Sequence, residues 1–287
     1  MKFFKYKYTV LIIIFFLLLF LFVALNLRSI SPARESIQLF FITISSYGLS
    51  ISLGILICVL VLSRMKPKEL DNVNFLEAVV WVVIPSIIVA RMWHVLTDLE
   101  YYRNDVGQIL NLSTGGLSIW GAILGGALGI IIFTQLYGFS SKLALNFVAI
   151  VLPVGQAVGR AGNFLNQELF GPPTDRPWGM YVHPANRPIK YIQNEYFHPA
   201  FLYEMIADLL LFFLLFIFAK KIGKNLGDSY IIVALYLVGY GIVRFFVEFY
   251  RLEEAFHFGL SFNQFVALAF VLIGAVYIAL LQLKQKK

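Results

Sequence analysis

Two stretches of this sequence crowd charged and amide side chains into otherwise apolar surroundings. The first reads Gly159-Arg160-Ala161-Gly162-Asn163-Phe164-Leu165-Asn166-Gln167-Glu168-Leu169-Phe170-Gly171. Arg160, Asn163, Asn166 and Glu168 offer a fixed cation, two amides and a carboxylate. An arginine grips a phosphate through two parallel hydrogen bonds. The glycines allow a tight, non-helical path. A helix cap with a structural ion pair is the simpler alternative. The second stretch reads Tyr240-Gly241-Ile242-Val243-Arg244-Phe245-Phe246-Val247-Glu248-Phe249-Tyr250-Arg251. Helical spacing puts Arg244, Glu248 and Arg251 on one face. One carboxylate between two arginines leaves that face net positive, as an anionic lipid headgroup would require. A purely structural intramembrane ion pair is the alternative there.

Two smaller groups follow. Arg91, His94 and Asp98 share helical spacing, and His198-Pro199-Ala200-Phe201-Leu202-Tyr203-Glu204 carries a loop into an apolar run. No phosphate-binding P-loop, zinc-type His/Cys spacing or nucleophile elbow occurs. Accordingly, neither a metal nor a cofactor is expected. The single cysteine, Cys58, lies in an apolar run and reads as a small hydrophobe.

The elements that must position these groups are membrane spans. Of the 287 residues, 60% are hydrophobic and 14% charged, where a soluble domain would be about 25% charged. A spanning helix needs ~20 mainly apolar residues, and eight candidates fit: 8–27, 43–63, 75–97, 117–137, 143–160, 200–219, 229–250 and 262–282. The fold expected is therefore all-α, a polytopic transmembrane bundle. Lysines cluster between the runs, and if both termini are cytoplasmic, every lysine except Lys190 faces inward. That placement, without a basic arm or a reading motif, argues against nucleic acid despite the net charge of +7. Residues 1–27 also resemble a signal peptide, but the apolar run is long and Leu25-Asn26-Leu27-Arg28 is a poor cleavage site, so an uncleaved anchor is expected. With this topology Arg160, Glu168, His198, Glu204, Arg244 and Glu248 converge near the outer side. The inner halves of the helices are almost uniformly apolar, unlike a transporter's path. Gly121, Gly125 and Gly129, and likewise Gly155 and Gly159, recur every four residues and predict close helix packing. The connection 161–199 is long enough for a functional loop or small periplasmic subdomain.

The stretch Gly159 to Gly171 resembles the motif G-R-x-G-N-F-x-N-x-E-x-x-G of the prolipoprotein diacylglyceryl transferases at every fixed position. Tyr47-Gly48, Gly115-Gly116-Leu117-Ser118, His198-Pro199 with Leu202-Tyr203-Glu204, and Tyr240-Gly241 with Arg244, Glu248 and Arg251 agree in order. The resemblance implies a domain over about 40–283 with a seven-span core; the anchor expected at 1–28 is an extra span and departs from the family. It implies transfer of a diacylglyceryl group from phosphatidylglycerol to the thiol of a lipobox cysteine in a prolipoprotein, in the bacterial inner membrane. The expected partners are phosphatidylglycerol, other membrane lipids and lipobox segments. Arg160 and Arg244 would stabilise the departing phosphate, Glu168 and Glu248 would hold the arginines, and His198 completes the catalytic set. Tyr47, Arg91, Asn163, Asn166, Tyr203, Glu204 and Arg251 would bind substrate.

One position departs from the pattern. Many family members read G-G-x-S-F-H-G where this chain reads Gly115-Gly116-Leu117-Ser118-Ile119-Trp120-Gly121. Indole only donates hydrogen bonds, so Trp120 is no base. Three readings stay open: His94 or His198 supplies the base; the arginines lower the substrate thiol's pKa; or the chain is a catalytically silent lipid- or lipoprotein-binding relative.

Overall fold

The computed structural model describes residues 22–23, 25–28, 36–39, 42–66, 70, 72–112, 115–252 and 257–285. Among them, seven helices are long and apolar enough to cross a membrane: α1 Ser46–Met65, α2 Phe75–Thr97, α3 Ile119–Leu136, α4 Ser141–Asn166, α5 Ala200–Ile222, α6 Ile231–Glu248 and α7 Phe262–Gln285. Seven of the eight expected spans correspond to these helices. The remaining one, 8–27, falls almost wholly outside the described residues. Many of the large apolar side chains on the helices are exposed, including Leu76, Ile84, Leu272 and Leu280. Lipid, rather than a protein core, must cover such side chains.

The chain divides into two compact units. One comprises Lys66–Phe147 with Gly227–Tyr230, the other Met1–Met65, Val148–Leu226 and Ile231–Lys287. In the first unit α2 and α3 pair along the expected glycine face. A Cβ on Gly121, Gly125 or Gly129 would strike the carbonyl oxygens of Val89, Pro85 and Trp81 respectively. Side chains there would force the helix backbones apart. Asn74 caps α2 by accepting from Leu76 N at 3.1 Å.

In the second unit a Cβ on Gly54 would come within 3.2 Å of the Gly155 oxygen, and the Cys58 thiol donates to Val151 O at 3.4 Å. Gly241 and Gly274 serve α6 and α7 in the same way, against Ala267 O and Ala234 O. Gly159 departs from expectation: a Cβ there would meet nothing within 4 Å, so it is not a packing glycine.

The connection after α4 holds two short strands, in which β1 (Met180–Tyr181) pairs antiparallel with β2 (Tyr196–Phe197). An upstream hairpin pairs Ser36–Leu39 with Ile42–Ser45. The glycine-bearing motif is helical as far as Asn166, not the non-helical path its glycines suggest. The chain turns at two non-glycines, Gln167 (φ 53°) and Leu169 (φ 55°). That left-handed conformation costs ~1–2 kcal/mol per residue. The Gln167 side chain offsets part of this by donating to Tyr181 O at 3.3 Å and accepting from His183 N at 2.7 Å. Gly171 is required for another reason, because a Cβ there would strike Tyr250 O.

Candidate active site

Three helices of the second unit bring their charged residues to one place. Arg160 stands on the last turns of α4, Glu204 on the second turn of α5, and Arg244 and Glu248 at the end of α6. Glu204 is the hub. Its Oε1 lies 2.6 Å from Arg160 Nη2 and its Oε2 lies 3.4 Å from Arg244 Nη1. Arg244 Nη2 in turn lies 2.9 Å from Glu248 Oε2, which is 3.9 Å from Arg251 Nε. The ion-paired chain thus runs Arg160, Glu204, Arg244, Glu248, Arg251, alternating in sign and ending in a cation at both ends. The two carboxylate side chains are 1–2% exposed, while Arg160 and Arg244 keep 19% and 12%. Held by buried anions yet still reachable, the guanidinium groups suit a bound phosphate.

Further hydrogen bonds brace the two ends of this chain. Ser261 Oγ and Asn263 Nδ2 each donate to Glu248 Oε1 at 2.8 Å, so the start of α7 braces the end of α6. Arg160 Nη1 donates to Asn163 Oδ1 at 3.2 Å, and Asn163 Nδ2 donates to Glu168 Oε1 at 2.7 Å. Asn166 reaches the same Glu168 oxygen at 3.5 Å. Glu168 therefore supports Arg160 through Asn163, and the direct holder of Arg160 is Glu204 rather than Glu168, to which the sequence assigned that role. Arg251 also differs from expectation. The helix ends at Glu248, and Arg251 reaches back from the following turn instead of sharing a continuous helix face.

A second arrangement flanks the ionic chain. Trp178 Nε1 donates to the Tyr203 hydroxyl at 2.9 Å, and that hydroxyl lies 2.9 Å from His198 Nδ1. The rings of His198 and Tyr203 both stand edge-on or tilted against Tyr250, two residues beyond Glu248. Burial, and secondarily the charge of Arg176, hold the His198 imidazole below its ordinary pKa. Its neutral form, the one that can accept a proton, is thereby favoured.

Arg91 belongs to the other unit and does different work from that expected. Its Nε donates to Ile109 O at 2.9 Å, Nη1 to Gly115 O and Gly116 O at 2.7 and 2.9 Å, and Nη2 to Asn111 O at 2.8 Å and to Gln108 O. A guanidinium has five N–H donors, and all are spent on backbone carbonyls. Arg91 clamps the loop that carries Gly115 and Gly116 and keeps no donor for a substrate. Gly115 and Gly116 have φ of 84° and 74°, and a Cβ on Gly116 would collide with Arg91 Nη1. His94 neighbours this loop, 3.3 Å from the Tyr102 hydroxyl through Nδ1. Trp120 opens α3. Tyr47 lies in the first turn of α1, and its side chain is outside the described residues.

Reasoning from sequence missed Asp208 and Gln156. Each is one helical turn from a residue that was recognised, Glu204 and Arg160, and each is a polar group inside a span. The cost of burying such groups was the signal that could have found them.

The prolipoprotein diacylglyceryl transferase family profile matches residues 34–280. The phosphatidylglycerol–prolipoprotein diacylglyceryl transferase of Synechococcus elongatus is 35% identical over 260 residues, covering 88% of this chain and 90% of its own length. Those of Acaryochloris marina and Thermotoga maritima are 35% identical over 263 and 243 residues, covering 89% and 84% of this chain and 93% and 82% of their own. The chain belongs to the prolipoprotein diacylglyceryl transferase family.

Proposed function

We propose that this member of the family transfers the diacylglyceryl group of phosphatidylglycerol to the cysteine thiol of a prolipoprotein lipobox, with Arg160 and Arg244 holding the phosphate. It is a membrane-bound transferase of lipoprotein maturation. The membrane is the bacterial inner membrane, and the ionic chain lies toward its outer side. Residues 1–28 form an anchor ahead of a transferase domain at 40–283.

The thiol sulfur attacks the glyceryl carbon that carries the phosphate. A C–S bond forms, the C–O bond to phosphate breaks, and glycerol phosphate departs with the bonding pair. Negative charge therefore grows on the phosphate oxygens, where two preorganised guanidinium groups in a water-poor site stabilise it. The thiol proton passes to neutral His198. In that role His198 Nδ1–H donates to the Tyr203 hydroxyl, which also accepts from Trp178, and Nε2 receives the proton. This arrangement, in which a third group orients the base, matches what an activated nucleophile requires. Asn163 positions a phosphate or glycerol oxygen next to Arg160. Both substrates are membrane-tethered, so a site at the membrane boundary brings them together without drawing either apolar segment into water.

The observation that carries this reading is the buried Glu204 carboxylate shared by arginines from two helices, at 2.6 and 3.4 Å. Substituting Arg244→Ala should abolish transfer while the protein still inserts and elutes as folded material in detergent. A well-inserted Arg244→Ala protein with near-normal transfer would overturn the phosphate assignment.

A further inference from the structure

Beneath the ionic chain lies a second polar layer that the reaction as described does not use. Each of the three helices contributes to it from one turn nearer its middle. Gln156 precedes Arg160 by four residues on α4, Asp208 follows Glu204 by four on α5, and Tyr240 precedes Arg244 by four on α6, with Tyr236 a further turn along. These residues form one cluster. Tyr236 is hydrogen-bonded with Gln156 and interacts electrostatically with Asp208, Tyr240 and Glu204, while Asp208 interacts with Glu204, Arg160 and Arg244. The Tyr236 and Tyr240 rings stack with centroids 5.6 Å apart and planes 8° from parallel.

Several polar atoms of this layer have no partner within the protein. Asp208 is 0% exposed, and both its carboxyl oxygens lack a hydrogen-bond partner. Gln156 Oε1 and Arg160 Nε are likewise buried and unpartnered. Three acceptor oxygens and one N–H in a membrane interior would cost ~1–3 kcal/mol each if left so. Such buried groups are completed by ordered water or by a bound ligand. The ligand must bring at least two hydrogen-bond donors to the oxygens, and it must stand beside a phosphate held by Arg160 and Arg244. A vicinal diol joined to a phosphodiester has that chemistry. A quaternary amine has no N–H or O–H to give, and a primary ammonium would sit beside two arginines.

We infer that Asp208 and Gln156, with Arg160 Nε at their edge, form a hydroxyl-accepting subsite that holds the glycerol headgroup of the donor lipid and selects it over headgroups without hydroxyls. The inference rests on phosphatidylglycerol being the donor. Asp208 is in this scheme a specificity-determining residue for the leaving group. The thiol and the diacylglyceryl carbon react without it.

The test compares two donors in purified, detergent-solubilised protein with one lipobox peptide: phosphatidylglycerol and phosphatidylpropanol, which keeps the three-carbon headgroup but has no hydroxyl. Removing a hydroxyl that a polar site was built to bind should cost the wild type about 10²-fold or more in kcat/KM, mostly in KM if binding is uniform. In Asp208→Leu, which leaves no acceptor there, the ratio between donors should fall below about tenfold. Asp208→Asn, with one carbonyl oxygen retained, should be intermediate. A merely structural role would lower transfer from both donors equally and leave the ratio unmoved, which overturns the subsite. Equal use of both donors by the wild type also overturns it and means that water alone completes the layer. Transfer from neither donor by the wild type would overturn the phosphatidylglycerol reading, and this inference with it.

Discussion

Replacing Glu204 with Gln probes the geometry on which the phosphate site depends. Glu204 holds Arg160 at 2.6 Å and Arg244 at 3.4 Å through its two different oxygens. In Glu204→Gln one of those oxygens becomes an NH₂ group facing a guanidinium, so one arginine loses its partner and the other keeps a neutral one. Breaking a buried ion pair by removing one partner costs ~3–5 kcal/mol. Some of that cost falls on global stability. The remainder frees an arginine from the position where it meets the phosphate, and at ~1.36 kcal/mol per decade the full amount corresponds to about 10²- to somewhat under 10⁴-fold in kcat/KM. Glu204→Asp retains the charge but shortens the reach by one methylene, so it should fall between Gln and wild type. The assay is transfer of label from phosphatidylglycerol to a lipobox peptide, normalised to protein that elutes as folded material, with thermal unfolding measured alongside. If Glu204→Gln keeps kcat/KM within threefold of wild type while remaining folded, the bridged arginines are not the catalytic phosphate site.

Two further outcomes follow from other contacts. His198 is held below its ordinary pKa by burial first and by Arg176 second, so the acidic limb of the rate profile should lie below that of an unperturbed histidine. Arg176→Ala should move that limb to higher pH, and added salt should move it the same way because Arg176 is exposed. The same sign applies to stability: this group's contribution is complete above the ordinary histidine pKa and is lost as pH falls. A limb unmoved in Arg176→Ala would remove His198 from the proton-accepting role. Arg91→Lys replaces five donors by three at a site where five carbonyls are bound. It should lower stability by ~3 kcal/mol or more and open the 105–116 loop to limited proteolysis. A stable Arg91→Lys protein with only a raised KM for the lipid would instead make Arg91 a substrate ligand.

The helices were legible in the sequence because apolar length is enough to define a span, and the packing face of α3 was legible because Gly121, Gly125 and Gly129 stand at a four-residue interval, although its partner α2 was not. The site was legible as a set of residues but not as a set of partners. Spacing along one helix could pair Arg244 with Glu248. It could not show that Glu204, from a helix reached through a long connection, would lie between Arg160 and Arg244. For the same reason Glu168 looked like an arginine holder when it accepts from Asn163 and Asn166. Arg91 misled because a charge in a span suggests a ligand, whereas here a loop's own carbonyls consume every donor. Gln167 and Leu169 misled because the turn uses left-handed non-glycines, one of them held by tertiary hydrogen bonds that local sequence does not reveal. Asp208 and Gln156 fell from view among apolar neighbours, though their four-residue distance from Glu204 and Arg160 marked them.

The most direct measurement of the central claim is transfer by the purified wild-type protein. It would use phosphatidylglycerol labelled in its diacylglyceryl part, a lipobox peptide, and the same peptide with its cysteine changed to serine. Label is expected on the cysteine peptide through a thioether and none on the serine peptide, with one glycerol phosphate released per transfer, in spite of Trp120. Folded protein that binds the lipid but labels neither peptide would contradict the claim.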